Sequence, residues 1–245
     1  DKLAYVKFFN SERTLVYIPK EVGYENGCDN VEYVVGWFVS REPKIAVIGI
    51  RDKDYVLFVN PLHLWPVNVF ATDFRDVAML MLSSPAVRQM LGNLKNYTET
   101  KMNQSFEIAR ELGYLRIFND VQQKGIRFND TVKQRLYWDG VSVCPNWKSN
   151  IYAVTLCQNS SISDVEQYVA SANLASESDL NICRGHDFVD IFCTILEQTH
   201  MIDSKNKQSL FAKMRDAYSD SDFHKTQLYD GLMNWQLSHS RQILL

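Results

Sequence analysis

Apolar positions recur along the chain in two periods, and their alternation sketches an α/β order. Leu3, Val6 and Phe9, with Tyr5, fall at spacings of three and four and predict an opening helix. Thr14 to Ile18 reads as a short strand stopped by Pro19. Past a loop holding Gly23, Asn26 and Gly27, Asp29 is placed to cap a helix with the stripe Val31, Val34, Val35, Phe38 and Val39, ending near Arg41. Lys44 to Ile50 is nearly all apolar and β-branched, the pattern of a strand covered on both faces in a parallel sheet. Val67 to Ala71 predicts another strand, Thr72 or Asp73 a cap, and Val77 to Leu82 the helix beyond. Ser84-Pro85 opens a short helix, with cap and N1 proline in their preferred places.

From about residue 96 the pattern turns helical. Met102, Phe106, Ala109 and Leu112 mark a helix ended by Gly113, and further helices are expected over 115–123, 163–174, 186–198, 206–218 and 222–237. Ile126 to Phe128 and Ile151 to Leu156 are strand-like. The expected fold class is α/β: a domain over residues 1–92 with a parallel sheet flanked by helices, then a mainly α-helical part over 93–245.

Composition changes this picture little. The 245 residues are 46% hydrophobic and 22% charged, which excludes a disordered or low-complexity chain. The longest uninterrupted apolar run, Val77 to Leu82, is far short of the roughly 20 residues of a membrane span. With no signal-peptide pattern, a soluble cytoplasmic protein is expected. A formal charge of −3 excludes a global basic field, so any polyanion contact must come from a local patch. Cys28, Cys144, Cys157, Cys183 and Cys193 are odd in number and form no C-x-x-C, which argues against a disulfide scaffold or zinc ribbon. Position 1 is Asp rather than Met and a helical pattern begins at once, so residues upstream are expected to be missing.

Candidate chemistry gathers at two strand ends. Asp52 and Asp54 follow the buried run, and in extended backbone side chains two apart point the same way. They also sit at the carboxyl end of a presumed parallel strand, where open α/β sheets place their sites. Neighbouring carboxylates repel unless a cation joins them, and Mg²⁺ is the hard-oxygen partner; the competing reading is a strand-end helix cap. Thr72-Asp73-Phe74-Arg75-Asp76 follows the next strand, and Asp73 or Asp76 either faces the same crevice or caps the helix.

A helix, a strand, a helix, a strand ending in G-I-x-D-x-D and then T-D-x-x-D opening a helix resembles a Toprim domain. More closely it resembles the Toprim-like family of unknown-function proteins that includes AriB, the effector of the PARIS anti-phage system. In that family an E-G-x-x-D segment ends the first strand; Asp1-Lys2-Leu3-Ala4-Tyr5 matches its Asp and helix start, which puts the Glu upstream of this chain. Arg184-Gly185-His186-Asp187, opening a helix, resembles the family's G-H-D segment. Relatives often carry a Glu two residues after the counterpart of Asp76, whereas this chain has Ala78.

The resemblance implies a Mg²⁺-dependent nuclease with Asp52, Asp54 and Asp76 as catalytic metal ligands, acting on tRNA as a homodimer after release from an AriA-like ABC-type ATPase. Two other readings stand beside it: a degenerate sensor or regulatory module, and a nuclease on DNA. Without the Glu, the chain as it stands is expected to be inactive. Lys53, between two inward aspartates, is expected to face solvent. Arg127, Lys133, Arg135 and His186 are candidate nucleic-acid contacts, within or beyond the basic stretch from Arg110 to Arg135 in which Tyr114, Phe118 and Phe128 are interleaved. That stretch reads more readily as a solvated helical face over an ordinary core, and His186 as a structural residue. The remaining histidines, His63 among them, have no acidic or nucleophilic context in the sequence.

Overall fold

The computed structural model describes residues 2–25, 27–42, 44–126, 128, 136–156, 160–197 and 204–245, with the side chains of 204 and 205 excepted. The elements are α1 (Lys2–Tyr5), α2 (Cys28–Arg41), β1 (Gly49–Arg51), α3 (Val56–Val59), β2 (Val69–Ala71), α4 (Val77–Leu82), α5 (Pro85–Gly92), α6 (Glu99–Gln122), α7 (Trp147–Thr155), α8 (Ile162–Ser171), α9 (Asp179–Ile182), α10 (Gly185–Glu197), α11 (Ser204–Ala217), α12 (Asp220–Phe223) and α13 (Gln227–Ser238).

The architecture is mixed α/β, with a two-stranded parallel sheet flanked by helices. Gly49 pairs with Val69, Ile50 with Phe70 and Arg51 with Ala71. Alternation sends Gly49, Val69 and Arg51 to one face, covered by α2, where Val31 and Val35 fill the place a Cβ on Gly49 would take. Phe70 points to the other face and meets Gly231 of α13. Helix α4 is apolar all round, so it is buried all round: Met79, Leu80 and Leu82 have no exposed surface. α6 and α10 pack alongside through Phe106, Phe188 and Phe192, and buried residues from Ala4 to Leu244 form one continuous cluster.

Several local expectations are corrected. Gly113 does not end a helix: α6 runs through it, because a Cβ there would lie 2.3 Å from the carbonyl oxygen of Ile182, so glycine lets α9 approach α6. Ile151 to Leu156 is not a strand; α7 buries Ile151 and Tyr152, whose hydroxyl donates to Glu111 at 2.6 Å. Among the described residues Thr14 to Ile18 pairs with no strand, and the run from Lys44 yields only Gly49–Arg51, the length its partner β2 matches. The opening helix buries Tyr5, Phe8 and Phe9 but leaves Leu3 and Val6 exposed. Asp29 does not cap α2, which starts one residue earlier behind Gly27. The segment 222–237 is two helices, separated where the Thr226 hydroxyl accepts from Tyr229 N–H and starts α13. The reading of Ile126 to Phe128 as a strand falls partly outside the described residues.

Candidate functional site

The parallel register brings the carboxyl ends of β1 and β2 to one rim. Beyond it the chain segments 51–54 and 72–77 are zipped together: Thr72 N–H donates to Arg51 O (3.0 Å), Lys53 N–H to Thr72 Oγ1 (3.0 Å), and Asp54 N–H to Arg75 O (2.7 Å). Lys53 does not face solvent alone; its Nζ folds back to donate to Asp73 O at 3.2 Å.

Asp52 and Asp54 do not share a direction through strand alternation. β1 ends at Arg51, and Asp54 turns into the left-handed region at φ 49°, so extended geometry stops before the second carboxylate. Asp52 turns toward α4, where its Oδ1 accepts from Val77 N–H (3.1 Å), while Oδ2 accepts no hydrogen bond among the described residues. Burial, then the neighbouring Asp76 and Asp54 carboxylates, push the Asp52 carboxyl up to about 7. Asp54 turns instead toward Arg75 Nη2 (3.5 Å), Arg51 Nη2 (3.9 Å) and the Cys28 thiol, which donates to it at 3.2 Å.

Asp76, not Thr72 or Asp73, caps α4. Its Oδ1 accepts from Met79 N–H (3.0 Å), and its Oδ2 takes Gly185 N–H (2.8 Å) and Arg75 Nη1 (2.9 Å). Asp73 instead reaches the start of α13 beside its cap Thr226, accepting from Gln227 and Leu228 N–H. Ala78 has a steric reason for its size: a Cβ on Gly185 would lie 2.4 Å from that of Ala78, so a longer side chain at 78 would run into the start of α10. In the Arg-Gly-His-Asp segment the work is divided otherwise than expected. Gly185 anchors Asp76, and Asp187 holds Arg116 by two hydrogen bonds of 2.9 and 3.2 Å. His186 is exposed against Phe211 and does not line the cleft beside the rim.

A cleft of about 980 Å³ opens beside the rim. Arg51, Arg75, Arg116 and Arg184 line it together with the carboxylates of Asp29, Asp54 and Asp120 and with His63, whereas Asp52 and Asp76 are not part of its lining. Arg51 is bound by Glu32 of α2, and its guanidinium lies 5.0 Å from the Trp65 ring centre; Arg75 lies 4.2 Å from that of Tyr55. Arg75, Arg116 and Arg184 lie in stretches the sequence singles out, but nothing in the sequence brings them together with Arg51, because long stretches of chain separate them. Arg127, Lys133 and Arg135 lie outside the described residues. Elsewhere in the basic stretch Arg110 pairs with Asp179, and Tyr114 and Phe118 are buried rather than offered for stacking.

The donor set suits a hard cation in one limited way. Among the described residues no three His, Cys, Asp or Glu side chains converge as a full cage. Mg²⁺ commonly takes only one or two protein carboxylates and completes its shell with water and phosphate oxygens. Asp52, with an oxygen to spare and excess negative charge around it, meets that description, and Asp76 lies beside it with most of its lone pairs already used. Among the described residues no helix is long and apolar enough to cross a membrane. The chain matches no protein-family model, no curated protein and no solved structure.

Proposed function

We propose that the protein is a Mg²⁺-dependent nuclease of Toprim type that cleaves RNA, with tRNA as the substrate implied by the family resemblance. One observation carries the reading: Asp52 and Asp76 come from the segments that follow two parallel strands to one rim, where burial first and then the Asp76 and Asp54 carboxylates raise Asp52 to about 7, and Asp54 of the same rim lines a cleft that holds four arginines. Crowded carboxylates are stabilised by a divalent ion, and guanidinium groups suit a phosphodiester. Asp52 would hold the ion, with Asp76 and Asp54 at its flanks; once bound, Mg²⁺ would activate water and offset charge on the phosphate. Arg75 and Arg51 keep Asp54 in place and orient the backbone of the substrate. Homodimer formation, control by an ABC-type ATPase and a role in anti-phage defence belong to the same proposal through the resemblance.

The test uses the full-length protein, including whatever sequence is encoded before Asp1, incubated with tRNA and with plasmid DNA in Mg²⁺ or EDTA. Mg²⁺-dependent cleavage of tRNA is expected, and Asp52→Asn lowers it by more than the 10- to 100-fold typical of an outer-shell partner of a metal. Unchanged cleavage by this variant overturns the assignment, and preferential cleavage of plasmid moves the substrate to DNA. One observation favours a second reading, a degenerate regulatory module: Asp76 is saturated by Met79, Gly185 and Arg75 as a structural carboxylate would be. Under that reading neither substrate is cut and Mn²⁺ fails to bind.

A further inference from the structure

His63 acquires a context in the fold that its sequence neighbours do not supply. The segment after α3 turns at Asn60, whose side chain accepts from Leu62 N–H (3.3 Å) and whose carbonyl accepts from His63 N–H (3.0 Å). The next residues alternate as an extended chain does, with the usual polarity reversed. Leu62 and Leu64 are each 87% exposed, while His63 lines the cleft and Trp65 packs edge-on against its ring at 4.5 Å. The Arg51 guanidinium also lies over the Trp65 ring.

Among the described residues, two side-chain nitrogens of the cleft's lining residues have no partner. Nε2 of His63 and Nε of Arg75 are buried and make no hydrogen bond to any described residue, although both side chains line the same cleft. Arg75 is only 7% exposed. Its other nitrogens serve Asp54 and Asp76; Arg51 is held by Glu32 and Asp54, and Arg116 and Arg184 by Asp187. Buried polar groups are rarely left unmatched, and each such group costs stability until something satisfies it.

We propose that His63 is a substrate-contacting residue: with the proton on Nε2, it donates, together with Nε–H of Arg75, to the anionic oxygens of a phosphodiester seated in the cleft. The contact needs no metal and no charge on the imidazole. It rests on the reading of the cleft as a phosphodiester seat, and it is tested separately from cleavage.

The probe is a short fluorescein-labelled oligouridylate, bound by the full-length protein in EDTA and followed by anisotropy. His63→Leu keeps bulk and removes the donor; His63→Gln returns an N–H near the Nε2 position. Binding weaker by about 10-fold or more in H63L, the scale of one lost hydrogen bond to a charged group, and largely regained in H63Q is the expected result. The thermal midpoint of H63L should not fall, since an unmatched buried nitrogen has been removed. Wild-type affinity in H63L, equal weakness in both variants, or no binding by the wild type in EDTA overturns the proposal. Binding that follows this pattern without any Mg²⁺-dependent cleavage leaves His63 assigned and removes the nuclease reading. Cleavage with H63L unaffected does the reverse.

Discussion

The α4–α6–α10 packing and the layer of α2, β1 and β2 divide the molecule by what they bury. In the first, Leu80, Leu82, Ile117 and Phe192 are wholly enclosed, and close approach of backbones is built in at Gly113. In the second, α2 encloses Val35 alone, β1 buries an arginine, and Leu62, Leu64 and Val67 stand in solvent nearby. Apolar burial contributes on the order of 25 cal/mol per Å², so stability resides mainly in the helical packing. The thin layer instead concentrates charge: Asp52, Asp54, Asp76, Arg51 and Arg75 are held at its rim at the expense of desolvation. The comparison teaches that the candidate site is mounted on the layer with the thinner apolar packing, with α4 and α10 as its footing through Asp76 and Gly185.

The largest effect that would break this contrast is at Asp52. The folded protein keeps its proton to about 7, whereas the unfolded carboxyl titrates near 3.8. The native state therefore binds more protons between those values, and stability falls as pH rises through that window, by up to about 4 kcal/mol. Asp120, raised by burial, acts in the same direction. Asp52→Asn should flatten this slope and exceed the wild type in urea unfolding at about pH 8 while losing cleavage, the exchange of stability for function expected of a site. A wild-type curve that is flat or rises over that range would remove the crowded-carboxylate account.

A smaller effect sharpens the division by making one substitution in both regions. Gly113→Ala drives a Cβ into the Ile182 carbonyl and should cost about 1–3 kcal/mol or more. Gly36→Ala, in α2, meets no atom within 4 Å and should stabilise by about 0.5–1 kcal/mol through helix propensity. Opposite signs in thermal unfolding are expected; a loss at both sites would mean that α2 is packed as tightly as α6. The smallest effect belongs to Leu62→Ser and Leu64→Ser. Both side chains are 87% exposed, so unfolding free energy should move by no more than about 0.5 kcal/mol.

The sequence by itself determined the elements whose signals are local. Ser84-Pro85 announces α5 because cap and proline act within one turn, and the apolar run Val77 to Leu82 announces an enclosed helix because it leaves no polar face. The stripe at Val31 to Val39 and the aspartates after β1 were likewise legible, as was a parallel sheet between helices. Tertiary structure alone decided the rest, since it depends on groups distant in the chain. Gly113 reads as a stop until Ile182 arrives beside it, and Asp76 becomes a cap and an anchor only when Gly185 offers its N–H. Asp52 and Asp54 part because a left-handed residue interrupts the alternation, and His63 meets Arg51 and Arg75 only where the fold closes a cleft around them. Periodicity reports which face of an element avoids water; it carries no information about which partner will cover that face.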